Sequence, residues 1–452
     1  MFSHDLDRRL NPLSTRARGI LLGSVLMIAI VAGLVSARTV PFMYGAVVAS
    51  FLAAAAVLGT LERAIPRRGP VSVHLFVFLL FAFASAAWAF EPSTSFLAVA
   101  LALGIAAGTL ALVQLLPEET RPNLIHIGEG LWIGLLVGLG YLFVEVVSGQ
   151  SIKIWVYTLL GMRPTDLAHA EYYVWSDQRI MSISAEDLTR NMASVTLFLW
   201  PAVMAARGTL RRRYSLIVAG LLVLLAGFVI LMTNHETSKL AFVAALAAFV
   251  GACLSARLIG HIVAIGWVIA CLAVLPSALV LHRLDLHNAA WLQHSAQHRI
   301  IIWNHTAEQV LEAPLLGVGA RTTYVLGPQL ENRVTQPGEA FPRTLSVHSH
   351  SVYLQTWFEL GLIGATLLTL LGLAILHAIR SLARPLQPYA YATFVSAVVM
   401  AASSYGMWQT WFVSLFGFAA AMFALGAVLV TARRASEAVA ARAPRREVAA
   451  SA

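Results

Sequence analysis

The chain has 452 residues, of which 59% are hydrophobic and 12% charged, and its mean hydropathy is +0.75. Because a soluble domain carries about 25% charged residues, this composition excludes a soluble enzyme with a single anchor. It predicts an all-α, polytopic membrane protein. The formal net charge of +9 would suggest a nucleic-acid partner only if the basic residues were gathered on one binding surface.

Apolar stretches of membrane-spanning length recur along the chain. A helix needs about 20 mostly apolar residues to cross a bilayer. On this criterion the sequence predicts twelve spans, at about 20–36, 40–61, 71–89, 95–115, 127–148, 191–206, 214–233, 239–256, 261–281, 352–378, 388–405 and 408–431. The first follows basic residues, as a secretory signal does, but its long apolar run favours a retained anchor.

These spans divide the chain into four parts. Residues 1–281 hold spans one to nine and an outer loop at about 149–190. Residues 282–351 form a large outer loop, in which 291–311 is predicted to be an amphipathic helix. Residues 352–431 hold spans ten to twelve, and 432–452 form a tail. Since long loops in compact proteins are usually functional, the large loop is where we expect chemistry.

The basic residues report the orientation of the spans. With the N-terminus placed in the cytoplasm, 20 of the 31 Lys and Arg residues fall on the inside and 11 on the outside. The inside loops are short, so their charge density is higher still, as cytoplasmic loops require. Both termini are therefore predicted to be cytoplasmic. The net charge reflects topology, and no nucleic-acid partner is expected.

Polar residues that could take part in catalysis or binding collect at the predicted outer ends of the spans. The large loop supplies Arg299 and His350, the earlier loop supplies Arg179 and Arg190, and Lys239 begins the eighth span. Charge near the membrane is costly, so cations gathered at this rim suggest an anionic partner such as the phosphate of a lipid carrier. The alternative is that each cation reaches lipid headgroups or pairs with a loop carboxylate.

Metal and serine chemistry are weaker interpretations of the same loop. His294 and His298 share a helix face, but a zinc-protease pattern requires Glu after the first His, and position 295 is Ser. A serine nucleophile acting with His350 would need a Gly-x-Ser-x-Gly turn, which the sequence lacks. The sequence therefore predicts neither a metal nor a cofactor.

Several segments together resemble one family. The segments Arg299–Trp303, Pro314–Gly319, His350–Ser351, Tyr353–Gln355 and Glu359–Gly364 resemble the signature of the O-antigen ligase superfamily. That superfamily includes O-antigen ligases, some O-antigen polymerases and protein O-oligosaccharyltransferases. Its members usually have Asn after the histidine that matches His350, and often Arg at the position of Lys239. Asn191 resembles the family's Asn at the start of the sixth span, preceded by Arg179 or Arg190.

The resemblance implies a GT-C-like, inverting and metal-independent glycosyltransferase in the bacterial inner membrane, with a periplasmic active site. It implies transfer of O-antigen glycan en bloc from undecaprenyl diphosphate to a sugar hydroxyl of lipid A–core. Under this interpretation His350 is the general base, and Arg299 and Lys239 stabilise the diphosphate. The predicted substrate-binding residues are Arg179, Arg190, Asn191, His348, Trp303 and Tyr353.

Two other functions stay open at this stage. A polymerase or protein O-oligosaccharyltransferase would use the same residues. Polymerases often show Arg followed eleven positions later by Gly, which no outer arginine here does, and protein glycosylation relatives often carry an extra C-terminal periplasmic domain. A lipid-glycan transporter would need charged groups at mid-membrane. Only Glu129 and Glu145 qualify, and both are expected to face the bundle interior.

Overall fold

The computed structural model describes residues 12–166, 170–176, 179–329 and 344–442. Parts of both predicted outer loops and of the predicted tail lie outside these ranges. The first eight helices are α1 (Pro12–Val35), α2 (Val40–Val57), α3 (Pro70–Ser85), α4 (Pro92–Leu115), α5 (Arg121–Val147), α6 (Ser151–Leu159), α7 (Thr189–Thr209) and α8 (Arg212–Leu231). The later helices are α9 (Glu236–Leu272), α10 (Val274–Arg283), α11 (His294–Val310), α12 (Thr322–Gln329), α13 (Val352–Ser381), α14 (Gln387–Ser403) and α15 (Thr410–Arg442).

The predicted all-α, polytopic class is confirmed. Within the described ranges, nine helices are long and apolar enough to cross a membrane. Helices α7 and α14 coincide with the predicted spans 191–206 and 388–405, although neither is among those nine. In α7, 17 of the 21 residues are buried, because the helix lies inside the bundle against other helices. The exact number of spans stays a prediction.

Two predicted spans belong to one bent helix. The stretches at 239–256 and 261–281 correspond to α9, which continues into the short α10. The bend in α9 lies at Ser255, whose backbone has φ −151° and ψ 91°. The Ser255 hydroxyl accepts a hydrogen bond from the amide of Leu258 at 3.3 Å, so it occupies one amide that the bend leaves without a helical partner.

A second break interrupts α13 at Gly361, where φ is +62° and ψ −162°. The loop at 314–319 lies against this break. The amide of Leu362 donates to the carbonyl of Pro314 at 2.8 Å, and the amide of Val318 donates to the carbonyl of Phe358 at 3.1 Å. Only glycine suits position 361, because a Cβ there would stand 2.4 Å from the backbone of Leu315. The loop therefore satisfies backbone groups that lipid could not.

The segment between α5 and α7 contains one antiparallel hairpin. Strands β1 (Tyr173–Ser176) and β2 (Arg179–Ile183) pair after the short helix α6. Glu145, near the end of α5, is fully buried, as predicted, and accepts a hydrogen bond from the amide of Lys153 at 3.0 Å. The Glu129 side chain is 37% exposed and pairs with His126, so the prediction that it faces the interior is wrong.

Candidate active site

His350 stands in a loop one residue before the cap of α13. Its backbone is left-handed, with φ +54°, and Ser351 then caps the helix by accepting from the amide of Leu354. The Nδ1 atom of His350 lies 3.1 Å from the carbonyl oxygen of Ser404. Because a carbonyl can only accept, Nδ1 carries the hydrogen in this contact. In the neutral ring, Nε2 is then the atom with a free lone pair.

His348 lies beside His350 and has the opposite arrangement. The backbone amide of His350 donates to Nδ1 of His348 at 3.2 Å, so Nδ1 of His348 is unprotonated and Nε2 carries the hydrogen. The two ring centroids are 4.2 Å apart, with the ring planes at 62°. Gly406 packs directly against His348, and a Cβ at position 406 would lie only 2.8 Å from Cβ of His348. The pair therefore presents one basic nitrogen and one N–H donor.

Helix α11 brings Arg299 to the histidines. Four residues further on the same face, Trp303 donates from Nε1 to the carbonyl of Ser349 at 2.9 Å, which ties the helix to the histidine loop. Trp303 also packs with Ala278 of α10 and Leu354 of α13. Arg299 is thus held at a fixed distance from the loop by contacts made one turn away.

Burial and positive charge keep the histidines of this region neutral. Burial is the main cause that lowers the pKa of His350 well below 6.5, followed by the charge of His348 and then of Arg299. Burial, then Arg299 and Arg190, lower the pKa of His348 to about 4. Burial and Arg299 lower the pKa of a third histidine, His235, to about 3. Each imidazole is therefore uncharged at neutral pH, the form in which a histidine can accept a proton.

Arg190 and Tyr405 complete the same region. Arg190, on the first turn of α7, lies with its guanidinium carbon 5.8 Å from the ring centroid of Trp411. Tyr405, in the link between α14 and α15, has its ring 6.0 Å from that of His235, and burial raises its pKa to about 12. Five separate stretches of chain therefore meet here: the start of α7, the loop before α9, α11, the histidine loop and the link before α15.

The other predicted site residues lie elsewhere or have structural contacts. The Lys239 ammonium pairs with Glu236 at 2.8 Å, and Arg179 is exposed on β2. Asn191 donates to the carbonyl of Leu34 at 2.6 Å. Tyr353 is buried and donates to the carbonyl of Val398 at 2.9 Å. The structure therefore brings Arg190 and His348 to His350 and Arg299, and the predicted roles of the remaining residues stay predictions.

Comparison with known proteins finds similarity over part of the chain. Residues 220–369 match the family model described as O-antigen ligase. That stretch of the chain is therefore similar to O-antigen ligases. The chain is 32% identical over 123 residues to a "Putative polysaccharide ligase" of Rickettsia conorii, covering 27% of this chain and 30% of the relative. It is 25% identical over 229 residues to a protein of the same description from Rickettsia felis, covering 50% and 55%.

The chain thus spans about a third to about half of the length of these curated relatives. The O-antigen ligase match includes His235, Arg299 and His350 but ends before Tyr405 and begins after Arg190. The two residues outside the match reach the site only through the packing of α7 and of the link before α15. Sequence reasoning missed His235 and Tyr405. For His235 the available signal was its place in a short loop, immediately before a predicted span.

The family-like segments divide into two roles in this structure. Arg299 and His350 contribute to the site, whereas the loop at 314–319 and the stretch at 359–364 form the break in α13. Within that break Glu359 is fully buried. Its carboxylate accepts hydrogen bonds from the amide of Arg321 at 2.7 Å, the Thr323 hydroxyl at 2.6 Å and the Trp408 indole. Glu359 therefore joins α13 to the loop before α12 and to the link that carries Tyr405.

Proposed function

We propose that this chain transfers O-antigen glycan en bloc from undecaprenyl diphosphate to a sugar hydroxyl of lipid A–core, with inversion, at the periplasmic side of the bacterial inner membrane. The similarity of residues 220–369 to O-antigen ligases supports a membrane enzyme that acts on a polysaccharide or a lipid-linked glycan. The observation that carries the proposal is the pair of neutral histidines, held in opposite tautomers beside Arg299 and Arg190.

The reaction needs a base because a sugar hydroxyl is a weak nucleophile. The acceptor oxygen attacks the anomeric carbon of the glycan, and its proton passes to Nε2 of His350. The bond between the anomeric carbon and the diphosphate oxygen breaks, and undecaprenyl diphosphate leaves with the electron pair. A single displacement of this kind inverts the anomeric configuration. A positioned base contributes about 10²–10⁴-fold to such a step.

The leaving diphosphate needs charge stabilisation more than protonation. Arg299 and Arg190 supply positive charge, and the N–H of His348 is a hydrogen-bond donor beside them. Fixed donors directed at developing negative charge are typically worth about 10²–10³ in rate each. Under this proposal the same cations that lower the pKa of His348 bind the diphosphate. Its negative charge offsets their effect when the donor is bound.

The test is transfer by the purified protein in proteoliposomes. Undecaprenyl-diphosphate glycan is the donor, and the acceptors compared are lipid A–core, a second glycan chain and a peptide. We expect product with lipid A–core, transfer slowed by about 10²–10⁴-fold in His350→Ala, and normal product from His294→Ala, an exposed histidine on the first turn of α11. Transfer only to the second glycan or only to the peptide would assign the chain to the polymerase or to the protein O-oligosaccharyltransferase.

A further inference from the structure

A cavity of about 1060 Å³ lies at the end of the bundle opposite to His350. Its walls come from the end of α7, the bend in α9, the end of α13, the start of α14 and the distal part of α15. Each of these helices has its other end at or near the histidine region. Since a helix rises about 1.5 Å per residue, the 20 positions between His235 and Ser255 place the two regions about 30 Å apart.

The cavity is strongly positive. Among the described residues that line it, seven are arginines and one, Glu437, carries a carboxylate. That carboxylate is occupied by Arg433, whose Nε lies 2.8 Å from it. Arg433 also donates from Nη1 to the carbonyl of Arg207 at 2.9 Å. The remaining arginines, including Arg257, Arg380 and Arg384, therefore surround a space in which like charges are together, an arrangement that an anion stabilises.

A buried hydroxyl in the wall is a second and independent indication of a ligand. Tyr391 is fully buried, and its hydroxyl has no hydrogen-bond partner among the described residues. A buried hydroxyl without a partner costs about 1–3 kcal/mol, so such groups normally meet a protein group, a water or a ligand. Arg380 lies beside the same wall, where the backbone of α9 passes Tyr391 at Gly260.

The cavity also offers an apolar surface at its edge. Phe249, Ala252 and Leu254 line it at the bend in α9, and Leu254 is 85% exposed. Leu258, one turn further along α9, is 57% exposed. A site with arginines inside and an exposed apolar helix face at its mouth matches a molecule with a phosphate head and acyl chains. Basic pockets between membrane helices bind anionic headgroups in this way.

We infer that this cavity binds the phosphate headgroup of an anionic membrane phospholipid, with the acyl chains along the exposed face of α9 at the bend. The orientation predicted from the basic residues puts the cavity in the cytoplasmic leaflet, where an anionic lipid would be available. A bound headgroup would link α9, α13, α14 and α15 at the end remote from the histidines. The inference does not depend on which glycan acceptor the protein uses.

The test compares lipids on the full chain after delipidation in detergent. Native mass spectrometry and thermal unfolding are measured with phosphatidylglycerol, phosphatidylcholine, soluble glycerophosphoglycerol and inorganic phosphate. The variant is Arg380→Gln with Arg384→Gln. The matched control is Arg211→Gln with Arg213→Gln, two exposed arginines at the start of the neighbouring helix that are not among the cavity's lining residues.

We expect phosphatidylglycerol to bind and to raise the unfolding temperature, and phosphatidylcholine to do neither. The cavity variant should lose about 30-fold in affinity for phosphatidylglycerol, the loss expected for two arginines beside an anionic headgroup. The control should keep its affinity. If the double variant does not fold, Tyr391→Phe, which removes only the hydroxyl, replaces it. This variant should also bind phosphatidylglycerol more weakly than the control does.

Three results would overturn the inference. Equal binding of the two lipids would mean that no headgroup is recognised. An equal loss in the control variant would mean that general surface charge attracts the lipid. Binding of inorganic phosphate as tight as that of the phospholipid, competing with it at the cavity, would assign the site to a soluble anion.

Discussion

The two ends of the bundle both collect positive charge, yet they differ in what stands beside it. At the end that holds His350, Arg299 and Arg190 lie near neutral histidines of fixed tautomer and a buried tyrosine. At the opposite end, arginines line an open cavity with one carboxylate that is already paired. Charge alone is enough to hold an anion. Of these two regions, only the one with His350 adds an unprotonated nitrogen, which is what proton transfer requires.

The difference also lies in how each end is built. The arginine cavity is lined by the ends of four helices and by the bend in α9. The histidine region is built from loops whose backbone is fixed by specific contacts, such as the carbonyl of Ser404 and the indole of Trp303. A binding site for a headgroup tolerates movement of its side chains. A base must keep its lone pair directed at one oxygen.

The largest effect should come from removing the base. His350→Ala should lower the rate of glycan transfer by about 10²–10⁴-fold, because the acceptor hydroxyl loses its proton acceptor. Binding of the lipid-linked donor should change little, since the cations remain. The measurement is single-turnover transfer in proteoliposomes together with donor binding, with His294→Ala as control. Full transfer by His350→Ala would remove this histidine from the chemistry.

The next largest effect should come from Arg299. Arg299→Ala should slow transfer by about 10²–10³-fold through the loss of charge stabilisation, and Arg299→Lys should restore part of it. Because Arg299 lowers the pKa of His350, its removal should also raise that pKa. A pH profile of the residual activity checks this second effect. A mutant with slowed transfer and an unmoved profile would indicate that Arg299 acts without facing His350.

The structure favours Arg190 as a site residue, whereas the family resemblance favours Lys239, so replacing each of them tests which is correct. Arg190 acts electrostatically on His348, whereas Lys239 pairs with Glu236. We therefore expect Arg190→Ala to slow transfer by about tenfold or more and Lys239→Ala to have a smaller effect. Transfer rates at matched protein levels provide the comparison. If Lys239→Ala were the more damaging change, the predicted role of Lys239 at the diphosphate would be supported over that of Arg190.

Replacing Glu359 should change the stability of the protein more than its chemistry. In Glu359→Gln an amide group replaces one of the two oxygens that now accept hydrogen bonds, so buried donors lose their acceptor at a cost of about 1–3 kcal/mol. The expected result is a lower thermal unfolding midpoint. Glu312→Gln, at an exposed position after α11, is the matched control and should leave the midpoint unchanged. Equal midpoints for both variants would contradict the role of Glu359 in joining the loops.

The smallest effect should be a shift in the pH at which activity declines. In the free enzyme the pKa of His350 lies well below 6.5, so kcat/KM should stay constant as pH falls past 6.5 and decline only at lower pH. Bound diphosphate stabilises the imidazolium and raises this pKa, so the decline in kcat should begin at a higher pH. Burial and nearby arginines lower the pKa of His348 to about 4 and that of His235 to about 3. Between pH 6.5 and these values the unfolded chain binds more protons than the folded chain, so the free energy of unfolding should decrease as the pH is lowered.

Much of the fold was predictable from sequence because helices that cross a membrane require long stretches of apolar residues. Long apolar stretches predicted the helices, and the break near residue 256 was visible as a gap between two such stretches. Arg299 and His350 were proposed from their predicted place at the outer rim and from the family-like segments around them, and their catalytic roles stay predictions. Glu145 was correctly expected inside the bundle, whereas the half-exposed Glu129 shows that an acidic residue within a span need not be enclosed.

Other features depend on contacts between residues far apart in the chain. The start of α7 places Arg190 close enough to act electrostatically on His348, whereas Arg179 stays exposed on β2. Residues two apart point in different directions on a helix, so the sequence alone gives no reason to pair His348 with His350. The left-handed backbone at His350 brings their rings together instead.

The sequence by itself determined the helical membrane class and the two residues, Arg299 and His350, from which a reaction could be inferred. The tertiary structure decided which nitrogen of His350 is basic, because only the carbonyl of Ser404, 54 positions away, fixes the tautomer. It also decided that the arginines at the opposite end enclose a cavity. Composition records whether a residue meets lipid or water, but the direction of a lone pair depends on the group that folding places against it.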